Sequence, residues 1–173
     1  QVKNLSSQPW EKIDPENHWI PVNLSELVNG GSRRGIETSG TIVSVRNDSG
    51  IIERCSECRR VLRENNCSEH GDQVGVEDLR LRFVVDNGIS NASLLMSKDS
   101  AEEFLGMDME RVKDEIAKSG RIGFVTELRN RCLSREVFIR GRSIVDEQGA
   151  MILSDTTSFS DIDPKKYGNE IME

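Results

Sequence analysis

The chain has 173 residues and a formal net charge of -7 at pH 7, from 23 basic and 30 acidic side chains. This length favours one domain with tails, and the charge excludes a strongly basic nucleic-acid binder. The acidic total does not exclude a nucleic-acid surface, because the ends carry the excess and residues 31–145 hold 19 basic and 19 acidic side chains. No stretch approaches the roughly 20 apolar residues that cross a bilayer, and the N-terminus lacks the apolar segment of a signal peptide, so we expect an intracellular protein.

The first elements of the chain are an extended arm and a strand. Residues 1–19 show little periodicity and form the expected N-terminal arm. In this arm we expect Trp10 and Trp19 to pack on the domain body rather than on bases. Residues 36–46 are rich in β-branched side chains, which predicts a strand. A turn follows, and then a cluster of Cys and His residues from about 53 to 71.

The cleanest alternation in the chain lies at 79–86, where Arg80 and Arg82 share one face of a predicted second strand. The apolar residues on its other face are Leu79, Leu81, Phe83 and Val85. A period of two residues is typical of a strand with one buried face. A hairpin turn then leads into a third strand over 89–96.

The second half of the chain first turns helical and then returns to strands. Residues 97–119 have a helical period, with Asp108 as the expected cap of the second of two helices. A fourth strand is predicted over 121–128 and a fifth over 135–145, with a short closing strand over 149–153. The outer face of the fifth strand carries Phe138, Arg140 and Arg142.

Five strands with a helix between the third and the fourth have the order of the OB-fold, a small and partly open Greek-key barrel. We therefore predict a mostly β domain over 20–155, a five-stranded OB-fold barrel. Its insertion at about 53–71 lies between strands 1 and 2. Residues 156–173 form the expected acidic C-terminal tail.

Four residues of the insertion, Cys55, Cys58, Cys67 and His70, have the pattern C-x2-C-x8-C-x2-H. Each short pair forms a tight turn that directs two ligands at one ion, and zinc in structural sites takes four such ligands in a tetrahedron. Because side chains fill all four positions, none is left for water or substrate. The pattern therefore predicts one structural Zn2+ in an inserted zinc ribbon, not a catalytic ion.

Two alternatives for these cysteines are a redox pair and a catalytic deaminase centre. A second ligand pair directly downstream disfavours a redox pair at Cys55 and Cys58. A zinc deaminase needs a general-acid Glu close to its His ligand, and neither His18 nor His70 is followed by one. Nucleotide-binding and hydrolase motifs are also missing from the sequence, which therefore predicts no enzyme. Cys132 is interpreted as a buried small side chain, with a reactive thiol as the alternative.

With the ribbon placed inside the predicted barrel, the sequence resembles the zinc-bearing OB domain of replication protein A, and in particular the archaeal large subunit. This family comprises the single-stranded DNA binding proteins of archaea and eukaryotes. The segments that carry the resemblance are 40–71 (first strand and ribbon), 78–107 (strands two and three with the helix) and 137–153 (last strand and closing hairpin). They lie within residues 20–155. His70 departs from the eukaryotic members, which use a fourth Cys, and zinc accepts either ligand.

The resemblance implies binding of single-stranded DNA in replication, recombination and repair, together with other OB domains or subunits of a replication protein A-like complex. It also implies a cytoplasmic location, nucleoid-associated in an archaeon, or a nuclear one in a eukaryote. The DNA would lie in a groove across strands two and three, between the loops after strands one and four. Cations in such a groove follow phosphates, and aromatic rings stack on bases.

Nine residues on these strands, loops and the ribbon are the candidate DNA contacts. They are Arg80, Arg82, Phe138, Arg140 and Arg142 on strands, Arg129 and Arg131 in the loop between the last two long strands, and Arg59 and Arg60 on the ribbon. For the strand arginines the alternative is a solvated face, and for Phe138 it is burial under the N-terminal arm. Aromatic residues make up 5% of the chain and stacking contributes about 1–3 kcal/mol per base, so we expect weak binding by this domain alone. The competing function is an OB-fold scaffold that holds partner subunits and has little DNA affinity of its own.

Overall fold

A computed structural model describes residues 19–160, which form a mostly β structure with three helices. The strands are β1 (Ile20–Pro21), β2 (Arg33–Val45), β3 (Gly50–Arg54), β4 (Asn66–Cys67), β5 (Gly71–Asp72), β6 (Val76–Asp86), β7 (Asn91–Met96), β8 (Glu136–Asp146) and β9 (Gly149–Phe159). The helices are α1 (Leu24–Asn29), α2 (Lys98–Leu105) and α3 (Met109–Cys132). The predicted arm, apart from Trp19, and the predicted tail from residue 161 lie outside the described residues.

One large sheet contains seven of the strands, in the order β1-β2-β8-β9-β7-β6-β3. An additional pairing of β2 with β6 partly closes this sheet on itself. The pairs β7–β9 and β1–β2 are parallel, and the other neighbours are antiparallel. Strands that are far apart in sequence therefore lie side by side, with β9 between β8 and β7.

The core lies on the inner side of this sheet and follows the alternation of the sequence. The fully buried residues of β6 are Leu79, Leu81, Phe83 and Val85. Buried residues of β7 and β8 that join the same core are Ala92, Leu94, Met96, Val137 and Ile139. Burial of one large apolar side chain contributes about 1.5–3 kcal/mol. The predicted strands over 36–46, 79–86 and 135–145 are confirmed as β2, β6 and β8, because each has a face that contributes to this core.

The predicted fourth strand over 121–128 is wrong, because these residues belong to α3. The buried residues of this part of the helix recur at helical spacing, and they are Phe124, Val125, Leu128 and Cys132. Ile122, which the alternation placed on the same face as Phe124, is 85% exposed. Gly120, with a φ of 76°, kinks the helix where the sequence predicted its end. The residues after the kink form a second helical segment, not a strand.

The connection from β7 to β8 therefore contains α2 and α3 and no strand. The predicted short closing strand over 149–153 is the beginning of β9, which continues past the predicted domain end to Phe159. Asp108 caps α3 as predicted, since its carboxylate accepts a hydrogen bond of 2.9 Å from the Arg111 backbone N–H. Among residues 19–160, no helix combines the length and the apolar character needed to cross a membrane.

Candidate metal centre and nucleic-acid surface

The four predicted metal ligands lie in the segment between β3 and β6. Cys55 follows the last residue of β3, and Cys58 lies in the next turn, where the Arg59 N–H donates to the Cys55 carbonyl at 3.0 Å. Cys67 is the last residue of β4, and His70 lies in the turn that leads to β5. Two tight turns therefore present the ligands in pairs, as the x2 spacing predicts.

The four ligand atoms form a compact set in which all atoms lie within 4.8 Å of one another. Cys58 Sγ lies 3.5 Å from Cys67 Sγ. His70 Nδ1 lies 3.6 Å from both Cys55 Sγ and Cys67 Sγ. Zinc bonds of about 2.3 Å to sulfur and about 2.0 Å to nitrogen give tetrahedral edges of about 3.5–3.8 Å. The donor set and its spacing therefore fit one four-coordinate zinc ion.

One contact near the ligands favours the thiolate form of Cys67, and another orients the ring of His70. The Glu69 backbone N–H, together with the His70 side chain, lowers the pKa of the Cys67 thiol to about 6 against the opposing effect of burial. The Glu57 carboxylate lies 3.2 Å from His70 Nε2, which leaves Nδ1 directed at the cysteine sulfurs. Metal-bound histidines commonly give their other ring N–H to a carboxylate, which fixes the ring and raises its basicity as a ligand.

The ribbon, defined as residues 53–71, has a small core of its own. Cys55 and Cys67 are buried beside Leu62, in a cluster separate from the main core. An ion pair of 2.5 Å between Arg54 and Asp78 joins the end of β3 to β6. So small an apolar cluster cannot offset the entropy of ordering the segment. Metal binding is therefore the interaction that we expect to stabilise it.

Arg80 and Arg82 lie on the outer face of β6, opposite its buried side chains. Both contact the same carboxylate oxygen of Asp48, at 2.9 and 2.8 Å. Burial raises the pKa of Asp48, but the hydrogen bond from Arg82 and the charges of Arg82 and Arg80 lower it more, so that it falls below its ordinary value of 3.8. This carboxylate neutralises one of the two cations. The Arg80 Nε is buried without a hydrogen-bond partner among the described residues.

Three more predicted contacts, Phe138, Arg140 and Arg142, lie on the outer face of β8. Phe138 is 38% exposed, and the guanidinium carbon of Arg140 lies 5.6 Å from its ring centre. Arg140 is paired with Glu37 on β2 at 3.1 Å. Arg142 is exposed and makes no ion pair with any residue in 19–160. Phe138 is therefore partly exposed, and no carboxylate of residues 19–160 neutralises Arg142.

Strand pairing places Arg82 and Arg142 at the two ends of one row across the sheet. Arg82 pairs with Leu95 on β7, and Leu95 pairs with Leu153 on β9. Leu153 in turn pairs with Arg142 on β8. Directly paired residues lie on the same face, so two partly buried leucines separate the arginines on the outer side. Neither leucine is recognisable from the sequence as part of this row, because no local pattern relates β7 to its parallel partner β9.

Arg129 and Arg131 lie in the last turns of α3, so their predicted position in a loop between two strands is wrong. The Arg129 Nη2 donates to Asn47 Oδ1 at 2.5 Å and to the Val45 carbonyl at 3.3 Å. Arg131 instead lines a cavity beside the end of α2. Arg129 therefore borders the loop after β2, and Arg131 lies on another side of the helix.

The two arginines of the ribbon, like those of the strands, differ in whether a carboxylate forms an ion pair with them. Arg60 is paired with Glu69 at 2.8 Å, whereas Arg59 is exposed and makes no ion pair with a described residue. The predicted contacts that a carboxylate engages are Arg60, Arg80, Arg82 and Arg140. Those without a carboxylate partner in the described part of the chain are Arg59, Arg129, Arg131 and Arg142. The second group therefore keeps more charge for a phosphate.

Cys132 lies in the main core at the end of α3 and is 2% exposed. Burial raises the pKa of its thiol, against the lowering effect of the nearby Arg131 and Arg135 charges. A raised pKa reduces the thiolate that a reactive cysteine needs. The structure therefore favours the interpretation of Cys132 as a buried side chain.

Solved structures share this fold, although no family model and no curated protein matches the sequence. One is a replication protein A heterotrimer bound to single-stranded DNA, with a TM-score of 0.56 and 14% identity over 88% of this chain. This chain spans 38% of the matched chain in that structure. Another is yeast RPA bound to single-stranded DNA, with a TM-score of 0.51 and 13% identity over 87% of this chain and 95% of the other. The likeness is one of fold, and it supports an RPA-like OB-fold for this chain.

Proposed function

We propose that this chain is a single-stranded DNA binding module of a replication protein A-like complex, acting in DNA replication, recombination and repair. In it, β2, β6, β7, β9 and β8 form the five-stranded OB-type barrel. The observation that carries the proposal is the row Arg82, Leu95, Leu153 and Arg142 across four neighbouring strands. This row combines cations with an apolar surface, which suits a strand that has charged phosphates and exposed bases. The RPA-like fold supports the proposal.

Phosphate contacts supply most of the affinity in this proposal. Among the aromatic residues of the described chain, Phe138 is the exposed one, and stacking contributes about 1–3 kcal/mol per base. Leu95 and Leu153 contribute apolar contact with sugars or base edges. Binding therefore falls steeply with salt, because phosphate contacts release counterions. A second OB domain or subunit on the same strand raises the affinity through effective concentration.

The zinc ion of this proposal is structural. Cys55, Cys58, Cys67 and His70 would hold it and fill its coordination, which leaves no position for a substrate. When bound, it supplies the folding free energy that the small core of the ribbon lacks. Gly50 of β3 pairs with Arg80 of β6, so β3 lies beside the proposed DNA surface. The ribbon continues from the end of β3, and when it is ordered it forms one border of that surface.

The proposed function is tested by fluorescence anisotropy with labelled oligo-dT at about 50 and about 200 mM salt. We expect binding that weakens with salt, and weaker binding by Arg142→Gln. Arg60→Gln is the matched control, because Glu69 already engages Arg60. Absence of binding at low salt, or binding that salt does not change, contradicts the proposal.

A second candidate function is an OB-fold scaffold that holds partner subunits. The observation that favours it is the set of ion pairs that engage predicted contacts, namely those of Arg60, Arg80, Arg82 and Arg140. These pairs lower the charge that DNA would meet. Size exclusion with light scattering, before and after co-expression with candidate subunits, separates the two functions. A monomer that binds DNA and no partner rejects the scaffold, and a stable complex without DNA affinity rejects the DNA-binding module.

A further inference from the structure

We propose that Arg46, Arg121 and Arg129 form a second phosphate-binding surface, the helix surface, which extends the DNA path from β6 onto the second half of α3. This inference rests on the single-stranded DNA binding proposed above. It gives the domain a longer binding site than the outer face of the sheet alone.

The helix surface is built around the loop that follows β2. Arg46 and Asn47 come directly after the last residue of β2, and the Arg46 N–H donates to the Arg82 carbonyl at 2.8 Å. On the other side of this loop, the Arg129 guanidinium donates to Asn47 Oδ1 at 2.5 Å. Arg121 and Arg129 line one cavity of about 380 Å³ together with Asn47. The loop therefore connects the outer face of β6 to α3 through direct contacts.

The cations of the helix surface keep their charge within the described part of the chain. Arg46, Arg121 and Arg129 make no ion pair with any residue in 19–160. Arg46 and Arg121 are exposed. The acceptors of Arg129 are amide oxygens, which carry no formal charge. The surface therefore offers three guanidinium groups to an anion, whereas the two arginines of β6 share one carboxylate.

An exposed apolar side chain lies within the same surface. Ile122 is 85% exposed and lines the cavity with Val125, between Arg121 and Arg129. A large apolar residue at this exposure does not contribute to the core. Beside cations it offers contact for the sugars and bases of a nucleic acid strand, which a purely electrostatic site would not need. The combination of free guanidinium groups with Ile122 is therefore the reason to assign this surface to single-stranded DNA.

The test compares short and long single strands, because the helix surface acts when a strand is long enough to reach it from the sheet. Anisotropy is measured at about 50 and about 200 mM salt with oligo-dT of about 8 nucleotides, within the range that one OB domain covers, and of about 20 nucleotides, beyond it. For Arg121→Gln, which removes a cation that is not among the candidate contacts of the sheet, we expect about 2- to 5-fold weaker binding of the long strand. We also expect its salt slope to fall by about 0.7, the value for one lost phosphate contact on a single strand. Binding of the short strand should not change.

Two further variants control this experiment. Arg111→Gln removes one exposed cation from the first half of α3 and should change neither strand. The side chain of Arg46 has no hydrogen bond to a described residue. Arg46→Gln should therefore lower the affinity for the long strand only, and by a smaller factor. Thermal unfolding midpoints equal to that of the wild type show that the variants are folded.

The outcomes separate this inference from the proposed function. Loss by Arg121→Gln that is equal for both strands, or absent for both, overturns the helix surface while DNA binding by the sheet stands. A wild-type protein that binds neither strand overturns the proposed function, and the helix surface with it. Loss confined to the long strand, with both controls as expected, supports the helix surface.

Discussion

The ribbon is formed by contacts between residues that are close in sequence. The outer row of the sheet (Arg82, Leu95, Leu153 and Arg142) is formed by contacts between residues that are far apart in sequence. The four metal ligands lie within 55–70, and their positions follow from tight turns between neighbours in sequence. The outer row takes one residue from each of four strands, and its centre is the parallel pair Leu95 and Leu153. A metal motif can therefore be identified from local spacing, whereas a binding surface is identified only once the strand order is known.

The largest expected effect comes from removing a metal ligand. Structural zinc contributes about 10 kcal/mol or more in zinc-finger peptides, so Cys58→Ala should lose the ion and unfold the ribbon. The large sheet should stay folded, because its core is separate. Zinc content by elemental mass spectrometry, together with hydrogen exchange by segment, measures both effects. We expect fast exchange over 53–71 and unchanged protection over 79–86.

A chelator provides the control for this prediction. It should reproduce the Cys58→Ala exchange pattern in the wild type and have no further effect on the variant. DNA binding should fall in both cases, because one border of the proposed surface is lost. Unchanged exchange and unchanged binding after chelation would show that the ion has no structural role.

A smaller effect is expected when the main core of the sheet and the small cluster of the ribbon are mutated separately and the free energies of unfolding are compared. Leu81→Ala should lower the free energy of unfolding of the sheet by about 2–5 kcal/mol, since Leu81 is fully buried. Leu62→Ala, in the cluster of the ribbon, should change global stability by less than about 1 kcal/mol, because the ribbon opens without unfolding the sheet. Urea unfolding at fixed zinc concentration measures both. Equal losses would mean that the ribbon and the sheet unfold as one cooperative unit.

The ion pair of Arg60 within the ribbon predicts a still smaller effect, a difference in DNA affinity between Arg59→Gln and Arg60→Gln. Arg59→Gln should weaken oligo-dT binding and reduce its salt slope by about 0.7. Arg60→Gln should have less effect, because Glu69 already engages Arg60. Anisotropy titrations over a range of salt concentrations give both values. If the two variants lose the same affinity, pairing with a carboxylate does not decide which arginines contact DNA.

The smallest expected effect is a pH dependence at Asp48. Its pKa in the folded protein lies below the ordinary 3.8, so its ion pairs stabilise the protein above about pH 4 and are lost as the pH falls through the folded-state pKa. The carboxylate is 42% exposed, which limits the contribution to less than about 1 kcal/mol. The difference in urea stability between wild type and Asp48→Asn should therefore be constant from pH 7 to about 5 and shrink below about pH 4. A difference that grows towards acid pH would show that the arginines do not stabilise the charged carboxylate.

Local patterns in the sequence were sufficient for the ligand set and for the strands with one buried face. The spacing at Cys55 and Cys58 needs only a turn, and the alternation in β6 needs only a core on one side. The segment 121–128 shows where such reasoning ends. Its apolar residues are consistent with a strand until Val125 is counted, and Val125 with Phe124 restores the helical period.

The candidate DNA contacts depended on tertiary structure, which the sequence did not supply. Arg80 and Arg82 were placed on the outer face correctly, but their shared partner Asp48 belongs to a different segment. Arg129 was expected in a loop and lies on a helix, where it meets Asn47. Each of these partners comes from a long-range contact, and side-chain periodicity carries no information about such contacts.

The position of β9 between β8 and β7 has a consequence for synthesis of the protein. Although β9 is the last described strand in sequence, it separates two strands that are made before it. A nascent chain that has released β8 but not Phe159 from the ribosome exposes unpaired edges on both β7 and β8, and such edges promote aggregation. We therefore expect the sheet to complete itself after translation of β9. A stop codon before Gly149 should yield an aggregating product rather than a smaller folded domain.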